Sequence, residues 1–224
     1  MAIQYQNFNY NIKEFEISVI LQIAKKLSSL QIITRYCHIE SPYWHAFVSH
    51  YAGHGVKLIH ACVQTEEEKE ELLSLEFPKS IVVKVYLIPF EITPAEAITY
   101  FDIRCLSSDI KYTAMLDVDE FLSFLNPALE IDDICNQGFI NVPWVMNPLS
   151  DISKDNSIGY WGHSYKPIVQ TKIIDSVVSD HMFKFRFRYK LKSKFSNRSQ
   201  LPHYYHSGIV LIHYWSRGIN DVIL

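Results

Sequence analysis

Along the first half of the chain, short uninterrupted apolar runs alternate with segments whose apolar residues recur at helical spacing. Glu14 to Leu30 carries apolar residues at 15, 19, 20, 23, 24 and 27, as an amphipathic helix would. Gln31 to Tyr36 (QIITRY) predicts a first core strand. Ser41-Pro42 predicts an N-cap followed by proline in the first turn, with a helix from Tyr43 to about Ala52 that stops near Gly53 and Gly55. Val56 to Val63 (VKLIHACV) predicts a second strand. Thr65 predicts a cap for an acidic helix, with Glu66, Glu67 and Glu68 in the first turn where the helix dipole favours carboxylates. Ile81 to Leu87 predicts a third strand, and Thr93-Pro94 opens a helix over roughly Ala95 to Ser108. Lys111 to Leu116 (KYTAML) predicts a fourth strand, too brief and too apolar for an amphipathic helix. Repeated strand–helix alternation implies an α/β domain with a mostly parallel sheet and helices on both faces.

The second half has a different pattern. Phe139 to Met146 (FINVPWVM) is strand-like but interrupted by Pro143. Asn147 to Pro167 predicts a polar loop, and Ile168 to Ile174 another strand. From 183 to 194 the pattern has period two. Phe183, Phe185, Phe187, Tyr189 and Leu191 are apolar, whereas Lys184, Arg186, Arg188, Lys190, Lys192 and Lys194 are basic. That predicts a strand with one buried and one cationic face. Gly208 to Trp215 (GIVLIHYW) is an apolar strand carrying His213 near its end.

Composition narrows the function classes. The chain has 224 residues, 48% hydrophobic and 20% charged, within the ordinary globular range. A formal charge of −3 gives no global attraction to nucleic acid or membranes. The 7 glycines form neither G-x-G-x-x-G nor a Walker loop. Cys37, Cys62, Cys105 and Cys135 form no C-x-x-C and lie in or beside apolar segments, which predicts buried free thiols in a reducing cytosol. The N-terminus is polar and aromatic, unlike a secretory signal, and no apolar run reaches the roughly 18 residues that span a bilayer. The expectation is a cytoplasmic protein.

The chemistry centres on Asp117-Val118-Asp119-Glu120, directly after the fourth apolar run. In an extended segment Asp117 and Asp119 share a face. Carboxylates that close repel each other unless a cation lies between them, and ligands of open α/β sheets bind beyond the carboxyl ends of strands. A divalent-metal site holding a phosphate-bearing substrate follows. An EF-hand loop is excluded, because Phe121 and Leu122 occupy its fifth and sixth positions. An aspartate-nucleophile phosphatase, with Asp117 attacking phosphorus, fits poorly: Phe121 stands two residues after the second Asp, and about a hundred residues precede the motif. A helix N-cap at Asp119 with Glu120 in the first turn leaves Asp117 without a role. The remaining reading is the D-x-D of a nucleotide-sugar transferase. A non-catalytic nucleotide- or glycan-binding module of the same fold is a further alternative.

The stretch Leu116 to Leu122 (LDVDEFL) resembles the metal-binding motif of family-2-like glycosyltransferases with the GT-A fold, in the branch close to family 92. Arg35 to Glu40, followed by PYWHAFVSHYAGHGV from Pro42, is similar to that branch's opening strand and helix. Trp161-Gly162-His163, Lys166-Pro167-Ile168, His213-Tyr214 and Ser216-Arg217 resemble its later elements. The resemblance covers roughly residues 31 to 221. The N-x-S-x-D often seen after the second strand is absent; Val63-Gln64-Thr65-Glu66 stands there.

The resemblance implies a GT-A domain over 31–224, with a nucleotide-binding half (31–125), an acceptor half (126–224) carrying a smaller antiparallel sheet, and an N-terminal extension over 1–30. It implies Mn²⁺ or Mg²⁺ held by Asp119 and His213, with Asp117 on the metal or the ribose. Arg35, Glu40, Gln64, Lys166 and Arg217 would serve the nucleotide-sugar donor; Trp144, Trp161 and His163 would serve a glycan or glycolipid acceptor. An inverting transfer needs a base near the acceptor hydroxyl. Asp180 and Asp151 are the first candidates, followed by Asp155 and His181. The basic strand over 184–194 suits peripheral contact with anionic lipid headgroups or an edge protected by lysines, rather than nucleic acid.

Overall fold

The computed structural model describes residues 26–88, 98–135, 138–146, 160–186 and 208–213, with backbone alone at 146 and 160–164. Four strands, Leu30–Arg35 (β1), Leu58–Val63 (β2), Val82–Leu87 (β3) and Tyr112–Met115 (β4), pair in parallel in the order β3-β2-β1-β4. Every residue of β2 and β4 is buried, as central parallel strands require, whereas β3 at the outer edge is half exposed. The sheet continues through Tyr160–Gln170 (β7), Phe139–Met146 (β6), Ile209–His213 (β10) and Glu120–Phe124 (β5). Strands β7 and β5 run against the other six. A separate antiparallel hairpin joins Ile174–Ser179 (β8) to Met182–Phe185 (β9). The molecule is thus α/β, with a large mostly parallel sheet and a small antiparallel one.

Both faces of the large sheet are covered. Ile32, Ala114 and Ile168 enter one apolar cluster, and their chain neighbours Ile33, Met115 and Val169 enter the other. Helix α1, Ser41–Gly53, supplies Trp44, Phe47, Val48 and Tyr51 to the first cluster at helical spacing. It ends where Gly55 takes φ +89, a conformation that favours glycine, while Val56 N–H donates to Tyr51 O at 3.0 Å. Helix α2, Glu66–Ser74, is capped as expected: Thr65 Oγ1 accepts from Glu68 N–H at 3.0 Å. A single turn, Ile131–Ile134 (α3), follows β5. Among the described residues no helix is long and apolar enough to cross a membrane.

Several expected elements are corrected. The stretch 98–108 is not an α-helix but two 3-10 turns, Ile98–Tyr100 and Ile103–Cys105. Asp102 breaks it with extended backbone, and its carboxylate accepts from Arg104 N–H at 2.9 Å, competing with helix formation. The expected helix ending at Leu30 gives way over 26–29 to a turn, because Leu27 N–H donates to His54 O and Leu30 opens β1. Helix α1 begins at Ser41 itself, so Glu40 takes the cap position without a side-chain cap bond. The predicted loop over Asn147 to Pro167 is strand from Tyr160 onward; residues 147–159 lie outside the described residues. Pro167 is tolerated because β4 pairs only with 168–170, so its missing N–H falls beyond that ladder. The predicted strand over Ile168 to Ile174 divides into the end of β7, a 3-10 turn at Thr171–Ile173, and the start of β8. The interruption at Pro143 is a bulge in the β6–β7 register.

Candidate functional site

Because β4, β6 and β10 are co-directional, their carboxyl ends meet at one edge of the sheet, where β5 and β7 begin. The D-x-D segment leaves β4 there as a tight turn. Glu120 N–H donates to Asp117 O at 3.0 Å, and Asp117 N–H donates back to Glu120 Oε2 at 2.8 Å. Val118 is buried between Asp117 and Asp119, which are both partly exposed. The third carboxylate therefore shapes the loop that presents the other two.

Helix α1 fixes the far side of this turn. Tyr51 O–H donates to Glu120 O at 2.8 Å and accepts from Leu122 N–H at 3.1 Å. His50 Nε2 donates to Leu122 O at 3.1 Å, and its ring meets Phe121 edge-on at 5.1 Å. Phe47 contacts the same Phe121 ring at 6.3 Å. Burial, and then His54, push the His50 pKa down to about 4, which keeps this donor neutral. The aromatic pattern of α1 thus clamps the Glu120-Phe121-Leu122 segment.

Lys166, on β7, lies among the carboxylates and is 1% exposed. Its Nζ donates to Asp117 Oδ2 at 2.8 Å and to Asp180 O at 3.2 Å, and stands 3.7 Å from both Glu120 Oε2 and Asp180 Oδ2. Burial works against its charge, but Glu120, Asp117 and Asp180 more than offset that and hold its pKa above the usual value. Glu120 is raised well above the carboxylate range, chiefly by burial and then by Asp117. Its Oε1 has no hydrogen-bond partner among the described residues. Burial works to raise Asp180, yet His181 and Lys166 bring its pKa below the usual value.

The other side of the site is aromatic and basic. His213, the last residue of β10, pairs across strands with Glu120. Its Nε2 lies 3.6 Å from Asp119 Oδ2. The Trp144 ring lies 4.3 Å from His213 and 5.4 Å from His181. His181, in the β8–β9 turn, has Nε2 3.2 Å from Asp180 Oδ2 and Nδ1 2.8 Å from Tyr165 O. The 3.6 Å between Asp119 Oδ2 and His213 Nε2 lies within the about 4.2 Å that two atoms each about 2.1 Å from one ion can span. Among the described residues no group of three or more His, Cys, Asp or Glu is arranged to hold a metal ion.

Of the residues singled out from sequence, the structure brings Asp117, Asp119, Lys166, Asp180, His181, Trp144 and His213 together. Arg35 and Glu40 stand at and beyond the end of β1, 3.9 Å from each other, with Glu40 buried. Gln64 follows β2, and its backbone N–H donates to Glu68 Oε2 at 2.9 Å. Asp151, Asp155 and Arg217 lie outside the described residues, as do the side chains of Trp161 and His163. Of the basic strand, Lys184 pairs with Asp175 at 3.1 Å, Arg186 Nε donates to Ile174 O at 3.1 Å, and residues 187–194 lie outside the described residues. The loop-shaping role of Glu120 and the clamp from His50 and Tyr51 were missed. The run of three carboxylates with a following aromatic was the available signal; it was read as a metal motif, with Glu120 given a place of its own only in the helix-cap alternative that was set aside.

Compared with protein-family models and with curated proteins, the chain finds a match in neither.

Proposed function

We propose that the protein is a metal-dependent glycosyltransferase of GT-A type, moving a sugar from a nucleoside diphosphate donor, a UDP-sugar by preference, to a glycan or glycolipid acceptor. One observation carries the reading. The D-x-D turn at the carboxyl end of β4 has its second carboxylate 3.6 Å from His213, supplied by the last described strand. An oxygen–nitrogen pair suits Mn²⁺, and hard Mg²⁺ is the alternative. When bound, the ion would neutralise the pyrophosphate as its bond to the sugar breaks. Asp119 and His213 hold the ion's site; the Glu120 turn orients Asp119; Asp117 is turned toward Lys166. Trp144 offers an aromatic surface for a pyranose beside both histidines. Asp180 is the base candidate within the described site, its depressed pKa keeping it ionised at neutral pH so that it can accept the acceptor's hydroxyl proton. The order β3-β2-β1-β4 with the motif after β4 supports the GT-A assignment.

Titration calorimetry with UDP and Mn²⁺ tests the proposal. Wild type binds UDP only with Mn²⁺ present, and Asp119→Ala weakens that binding by about a hundredfold, the loss of a direct ligand. Equal binding by the two proteins would reject it.

A further inference from the structure

We propose that Lys166 is a positioning residue that ties the Asp117–Glu120 loop to the Asp180–His181 turn, so that the two segments keep their shapes together. The sequence suggests a donor contact for this lysine, but its geometry points elsewhere. The ammonium is 1% exposed and faces inward. Its donors meet Asp117 Oδ2 at 2.8 Å and Asp180 O at 3.2 Å, and Glu120 Oε2 lies at 3.7 Å. These partners belong to segments 49 residues before and 14 residues after it.

The β8–β9 hairpin is a sheet of its own and shares no ladder with the large sheet among the described residues. Its turn is gripped by two successive residues of β7. The Tyr165 carbonyl accepts from His181, and Lys166 donates to the Asp180 carbonyl. The same lysine then reaches the D-x-D turn. Removing its charge leaves Asp117 without its ammonium partner beside the buried Glu120, and Asp180 with His181 but no bond to β7 through its own carbonyl, so both turns relax. What the segments bind, donor phosphates on one and acceptor on the other, rests on the glycosyltransferase reading; the mechanical tie does not.

Amide hydrogen exchange on the full chain reads the tie directly. In Lys166→Met the amides of Asp117 and Glu120, and that of His181, exchange about tenfold faster, while those of β1 and β2 keep their wild-type rates. Lys166→Arg retains most of the protection. A general acceleration that includes β1 and β2 would overturn the proposal, because it would make Lys166 only a contributor to global stability. Should Lys166→Met fail to fold, Asp117→Asn takes its place, since it weakens the shortest bond and is read at the His181 amide. An unchanged His181 amide in folded Asp117→Asn overturns the tie.

Calorimetry on the same variants separates the two readings. If wild type binds UDP with Mn²⁺, Lys166→Met weakens that binding about tenfold and Lys166→Arg stays within about threefold. Local exchange changes without any UDP binding by wild type would reject the donor site and leave the tie standing. Asp119-dependent UDP binding with unchanged local exchange would do the reverse.

Discussion

A buried neutral polar cluster lies at the amino ends of β1 and β4, and a buried charged one lies at the carboxyl ends. In the neutral cluster Gln31 Nε2 donates to Ser107 O and Thr171 Oγ1 at 3.0 and 3.2 Å, and its Oε1 accepts from Ser107 N–H and His60 Nε2, both at 3.0 Å. His60 Nδ1 accepts from Tyr86 O–H at 3.0 Å, and Thr171 Oγ1 donates to Ile110 O at 2.8 Å. Each partner's need is met by another neutral group, so the cluster carries no net charge. At the opposite end three carboxylates surround one ammonium, with Asp119 adjacent and a buried Glu120 oxygen without a described partner. A closed network reads as architecture. An unbalanced one, partly open to solvent, is the candidate for a functional site and supports the cation site proposed above.

Four measurements break or sharpen this contrast. The first is Lys166→Met, whose effect is confined to the charged end: the Asp117, Glu120 and His181 amides exchange about tenfold faster while the urea midpoint stays near that of wild type, because Asp117 and Asp180 are partly exposed and can turn to water. Unchanged exchange at those three amides would make the charged end as self-sufficient as the neutral one. Acid comes next. Burial, and then Lys84, push the His60 pKa down to about 4 in the folded protein, against a usual 6.5. Between those values the unfolded chain binds the extra proton, so the contribution of His60 is full above about pH 6.5 and falls toward pH 4 by up to about 3 kcal/mol, and His50, also held near 4, adds a loss of the same sign. A urea midpoint that does not move between pH 7 and 4.5 would show that His60 is not held neutral.

Gln31→Leu removes the hub of the neutral cluster and orphans donors on His60 and Ser107, costing about 1–3 kcal/mol by thermal or urea unfolding. It should leave any UDP–Mn²⁺ affinity unchanged, since the two ends are independent. The smallest effect belongs to Lys184→Ala. It breaks an exposed pair with Asp175 on the very hairpin that Lys166 grips, and it shifts stability by less than about 0.5 kcal/mol. A larger loss would place surface ion pairs, and not the buried lysine, in control of the hairpin.

Much of the parallel half was legible because its residues obey one rule at a time. β1, β2 and β4 are buried on both faces and read as apolar runs, and Thr65 caps the helix it was expected to cap. The stretch 98–108 misled because its apolar spacing is helical while Asp102 offers the backbone a competing partner. Strand β7 from Tyr160 was missed because Gly162 and Pro167 look like loop residues, and the shortness of β4 is what makes Pro167 acceptable there. At the site, the pairing of Asp119 with His213 was legible only through the family resemblance, since no local pattern links residues so far apart in the chain. Glu120 was illegible for a physical reason: a charged side chain reads as exposed, and its full burial depends on Lys166 and on the Asp117 amide, neither of which its sequence neighbourhood announces.

Strand β5 closes the far edge of the sheet, and its ladder partner is β10, residues 209–213. This fixes an order of events as the chain emerges from the ribosome. Strands β1 to β4 find partners soon after they are made, but β5 must wait for almost ninety further residues before its ladder can form. Until then Glu120 has no strand to anchor it against His213, and the D-x-D turn stays unset. The carboxylate loop is therefore translated about ninety residues before the strand that completes it, so a ribosome-bound chain halted before residue 209 emerges should hold a formed parallel sheet and an unset D-x-D turn.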